Sequence, residues 1–134
     1  METHMAHFKW YNRYSVENNE LDKHHKTLFD IINRLNTICL VNDKADCFDS
    51  LIEELVSYSN YHFIAEEQHM RDIGYKEIDK HTIEHRLFKL KLQQEVGENK
   101  YENTKKLIAF LVDWLVYHVI VEDKKYAVQS TRRF

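Results

Sequence analysis

The segment that decides the fold is Tyr-His-Phe-Ile-Ala-Glu at residues 61–66, where a histidine and a glutamate stand four residues apart. The apolar face that passes through Leu51 and Leu55 continues into this pair, so His62 and Glu66 occupy positions where helical periodicity demands core. Side chains four residues apart share one helix face, about one turn from each other. The segment therefore predicts a helix that directs two metal-capable groups into the protein interior.

Polar residues also occupy predicted core positions in three further segments. The additional polar groups at core positions are His25, His81, His85, His118 and Asp123. A buried polar group without a partner costs about 1–3 kcal/mol, so seven of them would consume the whole stability of a domain, about 5–15 kcal/mol. Hydrogen-bonded pairs do not balance, because five imidazoles face only two carboxylates. A metal cluster compensates all of these groups at once, and the sequence therefore predicts one.

The spacings indicate more than one metal ion. His81 and His85 are four residues apart and share a helix face, whereas His118 and Asp123 are five apart. In a regular α-helix five residues overshoot a turn by about 140°, which suits a carboxylate that reaches across to a second ion. Seven protein groups exceed what one tetrahedral zinc takes, and two six-coordinate ions that share bridging carboxylates would use them well. Imidazole ligands suit iron, copper, nickel or zinc.

The apolar periodicity predicts an all-α fold with four helices. Their approximate ranges are residues 20–40, 46–73, 76–96 and 103–129. The chain has no proline and two glycines, which disfavours a turn-rich β architecture, and the short connections favour an antiparallel up-down-up-down four-helix bundle. Gly74 is placed to stop the second helix and Asp46 is a candidate N-cap. Leu87 and Leu90 are counted with Phe88 and Leu92 as apolar positions of the third helix.

Residues 1–134 are predicted to form a single domain, in which residues 1–19 are an N-terminal arm and residues 20–129 the bundle. The aromatic residues of the arm are Phe8, Trp10, Tyr11 and Tyr14. A solvated linker would rarely hold so many rings, so the arm is expected to pack across the bundle. No exposed apolar stripe is evident in the pattern, and a monomer is expected.

Charge and hydropathy exclude several kinds of partner. A formal net charge of −3 gives no basic footprint, so nucleic acid is not an expected partner. The longest apolar run is residues 107–112, far short of the about 18 residues that a membrane span needs.

The start of the chain lacks the features of a secretion signal, and a cytoplasmic location is expected. Cys39 and Cys47 match no zinc motif and are predicted to be unpaired thiols in a reducing compartment.

Two short motifs offer alternative metal sites. Residues 81–85 match the His-x-x-Glu-His pattern of some zinc peptidases, in which Glu84 would be a general base. That interpretation leaves the other inward-facing histidines unexplained. Residues 66–69 match the Glu-x-x-His half-motif of ferritin-like di-iron proteins, which need two copies where this chain has one.

From Trp10 to Tyr126 the chain resembles the hemerythrin family. The resemblance rests on the order and spacing of four stretches: Leu-Asp-Lys-His-His-Lys-Thr-Leu-Phe at 21–29, Tyr-His-Phe-Ile-Ala-Glu-Glu at 61–67, His-x-x-x-His at 81–85, and Trp-Leu-Val-Tyr-His at 114–118 followed by Asp123. It implies a non-haem site of two iron ions, Fe2+ or Fe3+, joined by an oxo or hydroxo bridge. It also implies reversible O2 binding at that site.

The resemblance implies a role for each inward-facing group. One iron would be bound by His81, His85 and His118. The other would be bound by His25 and His62. Glu66 and Asp123 would bridge the two irons. The lining of the O2 pocket would be Phe63, Trp114, Leu115 and Val119.

Some residues depart from the family pattern. His24 stands where glutamine is usual, and because adjacent helical residues point about 100° apart, only one of His24 and His25 can face the metal. His25 is the predicted ligand, since it is in register with the apolar face of its helix. Glu17 stands where glycine is common. The spare histidines, predicted to face solvent, are His4, His7 and His69.

Three functions remain open from the sequence. The first is O2 carriage, storage or delivery, the second is O2 or redox sensing that reports to an unknown partner, and the third is a di-iron oxidase or peroxidase-type activity. The sequence offers no acid/base residue clearly dedicated to turnover. Binding without catalysis is therefore the preferred prediction.

Overall fold

The computed structural model of the chain describes residues 9–39, 45–97 and 104–131, and within these ranges it contains helices and no strand. The α-helices are α1 (Asn19–Arg34), α2 (Ala45–Asp72), α3 (Ile78–Gly97), α4 (Thr104–Tyr117) and α5 (Asp123–Thr131). Leu35–Cys39 continues α1 as a π turn, and a second π turn, His118–Glu122, joins α4 to α5 into one fourth helix. The predicted all-α fold of four helices is confirmed.

Contacts between the helices show that neighbours are antiparallel. His24 near the start of α1 meets His62 late in α2, while Arg34 at the end of α1 pairs with Glu54 early in α2. The same reversal relates α2 to α3 and α3 to α4. The helices therefore run up, down, up and down.

Buried apolar side chains form two clusters that flank a polar layer. The smaller cluster consists of Val16, Leu21, Met70, Tyr75, Tyr126 and Ala127. The larger cluster includes Leu28, Ile32, Leu55, Phe63, Phe88 and Leu111. Each fully buried side chain of this size stabilises the fold by about 1.5–3 kcal/mol. The polar positions of every helix fall between the two clusters, so apolar packing on both sides fixes the layer that contains them.

The inner face of α3 differs in part from the sequence prediction. Phe88 and Leu92 are buried in the larger cluster, but Leu87 and Leu90 are 58% and 56% exposed. The inner face of α3 is set by His81 and His85, and residues 87 and 90 lie well off that face. With Ile83 they form an exposed apolar row at helical spacing, so the expectation that no such stripe exists is wrong. The monomer inferred from it stays a prediction.

The N-terminal arm packs on the bundle from Trp10 onward. The Trp10 ring lies 6.0 Å from Phe29, and Tyr14 meets the same ring edge to face. Lys124 Nζ donates to the Ser15 carbonyl at 2.7 Å, which ties the arm to α5. Glu17 adopts φ 61°, the left-handed region that glycine takes without strain.

The predicted stop at Gly74 is confirmed. Gly74 has φ 67°, its N–H donates to the Arg71 carbonyl, and the Tyr75 N–H donates to the Met70 carbonyl, the paired bonds of a Schellman motif. The proposed N-cap at Asp46 is wrong, because α2 already begins at Ala45. The side chains of Cys39, Cys47, Phe48 and Leu107, together with all of Phe8, His4 and His7, lie outside the described residues.

No helix in the described ranges is both long enough and apolar enough to cross a membrane.

Candidate metal centre

Seven side chains from all four helices meet in the polar layer between the two apolar clusters. They are His25 from α1, His62 and Glu66 from α2, His81 and His85 from α3, His118 from the second π turn and Asp123 from α5. All seven are at most 3% exposed. The structure thus brings together every residue that the sequence analysis singled out as a metal-capable group.

The seven residues form two overlapping groups of metal-capable atoms. The ligand atoms of each group all lie within 4.8 Å of one another. The first group is Glu66, His81, His85, His118 and Asp123. The second group is His25, His62, Glu66 and Asp123. Because both carboxylates belong to both groups, the arrangement is consistent with a site for two metal ions.

Glu66 is the centre of this arrangement. Its carboxylate lies 2.8 Å from His85 Nε2, and within 3.6 Å of the Nε2 atoms of the other four imidazoles. The Tyr126 hydroxyl donates a hydrogen bond of 2.8 Å to Glu66 Oε2. Tyr126 is fully buried in the smaller apolar cluster, so this bond ties the carboxylate to the packed core.

Asp123 reaches the cluster because the fourth helix contains a π turn. The Asp123 N–H donates to the His118 carbonyl five residues back, so the two residues share one face, and Asp123 Oδ1 lies 2.9 Å from His118 Nε2. The predicted overshoot of about 140° assumed regular α geometry and is wrong. Glu122, four residues after His118, instead pairs with Lys125 at 3.0 Å.

Three of the imidazoles have a polar partner on the nitrogen that faces away from the cluster. His85 Nδ1 lies 2.8 Å from Glu67, His118 Nδ1 lies 3.6 Å from Glu84, and His62 Nδ1 lies 3.0 Å from His24 Nδ1. Such partners fix the ring orientation of a metal-binding histidine and leave Nε2 to face inward. These three partners were not predicted from the sequence, although Glu67 and His24 directly adjoin predicted ligands.

Several buried polar atoms of the cluster have no hydrogen-bond partner among the described residues. They are both ring nitrogens of His25, Glu66 Oε1, and both carboxylate oxygens of Asp123. Some lie close together, as His25 Nε2 and Asp123 Oδ2 do at 3.0 Å, but they do not form a hydrogen bond. Unpaired buried polar atoms are costly, and imidazole nitrogens and carboxylate oxygens are transition-metal donors. The donor set therefore fits a pair of metal ions.

The pKa values of the histidines in the cluster shift in opposite directions. Burial by itself lowers the pKa of His25 and of His81, but contacts with Asp123 and Glu66 outweigh it and raise each pKa to about 9. Burial lowers the pKa of His62 to about 4. Burial alone would raise the pKa of Glu66, yet the surrounding imidazoles hold it well below its usual range. At neutral pH the cluster without metal thus carries protons on His25 and His81 and negative charge on Glu66.

Metal binding by this cluster is expected to release protons at neutral pH. His25 and His81, with a pKa of about 9, are protonated when metal-free and must lose the proton on Nε2 to bind an ion. Apparent affinity should therefore rise as the pH is raised from 6.5 to about 9. Because these pKa values are raised in the folded state, their contribution to metal-free stability is complete below pH 6.5 and lost as the pH passes about 9.

Titration calorimetry with Zn2+ in buffers of different ionisation enthalpy measures this release. A binding heat that is the same in every buffer would contradict the prediction.

Aromatic rings cover the cluster on the side of the larger apolar cluster. Phe63 stacks on His85 with ring centroids 3.9 Å apart, and Trp114 stacks on His118 at 4.3 Å. Leu115 and Val119 are buried in the larger cluster. All four residues predicted to line an O2 pocket thus lie in, or packed against, the larger cluster.

The remaining predicted positions do not enter the cluster. His69 is half-buried rather than solvent-facing, because its ring lies against Tyr126 and its Nδ1 is 3.4 Å from Asn18. It takes no part in either metal group, so the ferritin-like half-motif is not assembled. Glu84 faces the outer nitrogen of His118, not the interior, which disfavours the peptidase-like alternative.

Comparison with known proteins agrees with this geometry. Residues 16–129 match the family profile described as the hemerythrin HHE cation binding domain. The chain is 31% identical over 127 residues to a bacteriohemerythrin of Clostridium acetobutylicum, covering 89% of this chain and 98% of that protein. It is 32% identical over 123 residues to a bacteriohemerythrin of Campylobacter jejuni, covering 90% of this chain and 92% of that protein. A crystal structure of a leucine-to-phenylalanine mutant superposes with a TM-score of 0.74 at 25% identity, covering 95% of this chain and 99% of that one.

Proposed function

The chain belongs to the hemerythrin HHE cation-binding family, and on that premise we propose that it binds O2 reversibly at a pair of iron ions. The observation that carries the proposal is that two groups of buried ligand atoms share both carboxylates, Glu66 and Asp123. Five imidazoles and two carboxylates shared by both groups would suit two iron ions better than ions that prefer oxygen, such as magnesium or calcium. When bound, an iron pair supplies electrons to O2 and recovers them on release.

The two groups differ in how many protein atoms they offer. The group with His81, His85 and His118 supplies five ligand atoms, whereas the group with His25 and His62 supplies four. We propose that O2 binds on the side of His25 and His62, where fewer protein atoms compete for coordination positions.

The protein's own residues orient and enclose the site. Tyr126 holds Glu66 by a hydrogen bond, and Glu67 holds the outer nitrogen of His85. Phe63 and Trp114 stack on two of the proposed ligands and, with Leu115 and Val119, exclude water from that side. Exclusion of water limits side reactions at such a site, which favours reversible binding over turnover.

Metal analysis and optical spectra test the proposal. The protein loaded with Fe2+ under argon is expected to contain two irons per chain, to change its visible spectrum in air and to recover the first spectrum when O2 is removed. Fewer than two irons per chain after loading, or purified protein that contains zinc alone, would contradict the proposal. Repeated O2 consumption with a reductant would favour the oxidase or peroxidase alternative. Sensing uses the same site and would require an additional partner.

His62→Ala is expected to abolish the O2-dependent spectral change and to reduce the iron content from two ions to one. His62 belongs only to the smaller group, so its loss leaves the five ligand atoms of the other group intact. His69→Ala is the matched control, because it makes the same substitution on the same helix outside both groups. A normal oxygenated spectrum in His62→Ala would show that the proposed O2 side is wrong.

A further inference from the structure

His24 is a buried histidine that belongs to neither metal group. Its side chain is 3% exposed, and its Nδ1 lies 3.0 Å from Nδ1 of His62. Two nitrogens at this distance form a hydrogen bond only if one carries a hydrogen and the other offers a lone pair. The contact therefore couples the tautomers of the two rings.

The direction of the bond follows from the position of His62. Its Nε2 faces the cluster, 3.4 Å from Glu66 Oε2, and an imidazole nitrogen that binds a metal ion carries no hydrogen. A neutral His62 ring then carries its hydrogen on Nδ1 and donates it to Nδ1 of His24. His24 in turn carries its hydrogen on Nε2, which lies 3.8 Å from the carboxylate of Glu20, a side chain that is 71% exposed.

The His24 ring is held in place by two aromatic neighbours. Its centroid lies 5.0 Å from that of Tyr61 and 5.8 Å from that of Tyr58, with the latter pair edge to face. His24 follows the helical rotation of about 100° away from His25, so consecutive histidines perform two tasks. His25 enters the cluster, and His24 reaches across to α2.

We infer that His24 is a positioning residue that accepts a hydrogen bond from His62 Nδ1 and thereby holds His62 Nε2 toward the second metal group. The inference rests on the proposed function, because it takes His62 as a ligand. In metal sites this outer partner is generally a carboxylate, a backbone carbonyl or water, and here it is an imidazole. His24 acts on one of the two ions, since His62 belongs only to the group with His25.

Two substitutions at position 24 separate the hydrogen bond from packing. His24→Leu replaces the imidazole with an apolar side chain of similar bulk, and it therefore removes the hydrogen-bond acceptor. His24→Asn places an amide oxygen close to the position of the lost Nδ1, so it can accept the same bond. Titration of each metal-free protein with Fe2+ under argon, in competition with a chelator, gives the affinity of each binding step.

Loss of such an outer partner typically weakens metal affinity by 10–100-fold. We expect His24→Leu to weaken one of the two steps by about this factor and to leave the other unchanged, and His24→Asn to restore most of the loss. Equal weakening of both steps, no weakening, or failure of His24→Asn to restore affinity would overturn the inference. A wild-type protein that binds fewer than two ions would instead refute the proposed function, and the inference with it.

Long-range proton–nitrogen NMR of the wild-type protein loaded with Zn2+ tests the same bond without a variant. We expect the hydrogen of His62 on Nδ1 and that of His24 on Nε2. A hydrogen on Nδ1 of His24 would reverse the donor and acceptor and overturn the inference.

Discussion

Glu66→Gln is expected to remove both metal ions from the protein and to lower the free energy of unfolding of the metal-free protein by about 3–5 kcal/mol at pH 6. Glu66 lies within 3.6 Å of all five imidazoles, and it belongs to both metal groups. Among the described residues, no other side chain lies within this distance of all five imidazoles. The amide keeps the shape of the carboxylate, so the change isolates the loss of charge.

The loss of stability follows from the charges of the metal-free cluster. His25 and His81 have pKa values raised to about 9 by Glu66 and Asp123, against the effect of their own burial. At pH 6 these rings are protonated, and removing one of the two anions leaves buried positive charge without compensation. At higher pH the rings can lose their protons instead, so the difference between variant and wild type should shrink.

Urea unfolding of the metal-free proteins at pH 6 and pH 9, together with metal analysis after loading, measures both effects. Glu53→Gln is the matched control, since it makes the same substitution at an exposed position of the same helix. A variant at position 66 that retains two ions would refute the bridging role proposed for this carboxylate.

The fold could be predicted because the helical spacing of apolar residues continues over long segments. Long segments free of proline repeat apolar residues at helical spacing, and polar residues within that spacing stand out, which is how His25 and Glu66 could be found. The same periodicity gave a wrong prediction for Leu87 and Leu90, which are exposed. An apolar residue fits an apolar pattern wherever it lies, and the inner face of α3 is decided by where His81 and His85 must meet the other helices.

The residues that contact the imidazole nitrogens facing away from the cluster could not be predicted either, and the reason is different. Each contact joins residues far apart in the chain, such as His24 with His62, and depends on how two helices are rotated against each other. Periodicity gives the face of one helix, but it does not give the pairing of side chains across an interface. The π turn at His118–Glu122 was missed as well. The five-residue spacing of His118 and Asp123, two groups predicted to face inward, was visible, but it was interpreted with regular α geometry.

Asp123→Ala is expected to lower metal affinity by more than about 100-fold and to leave the protein with at most one ion. Asp123 oxygens lie 2.8 Å from His81 Nε2, 2.9 Å from His118 Nε2 and 3.0 Å from His25 Nε2, so its loss affects both metal groups. The neighbouring carboxylate of Glu122 remains, four residues after His118, where a regular α-helix would present it on the same face as that histidine.

The π turn is the reason why Glu122 should not substitute for Asp123. With the Asp123 N–H bonded to the His118 carbonyl, Asp123 faces inward and Glu122 is directed to Lys125. Glu122→Gln is therefore the matched control and should retain two ions and the O2-dependent spectrum. If Asp123→Ala kept both ions while the double variant Glu122→Gln, Asp123→Ala lost them, Glu122 would be able to enter the site. The helix would then be free to adopt regular α geometry, and the π turn would not determine which of the two acids binds metal.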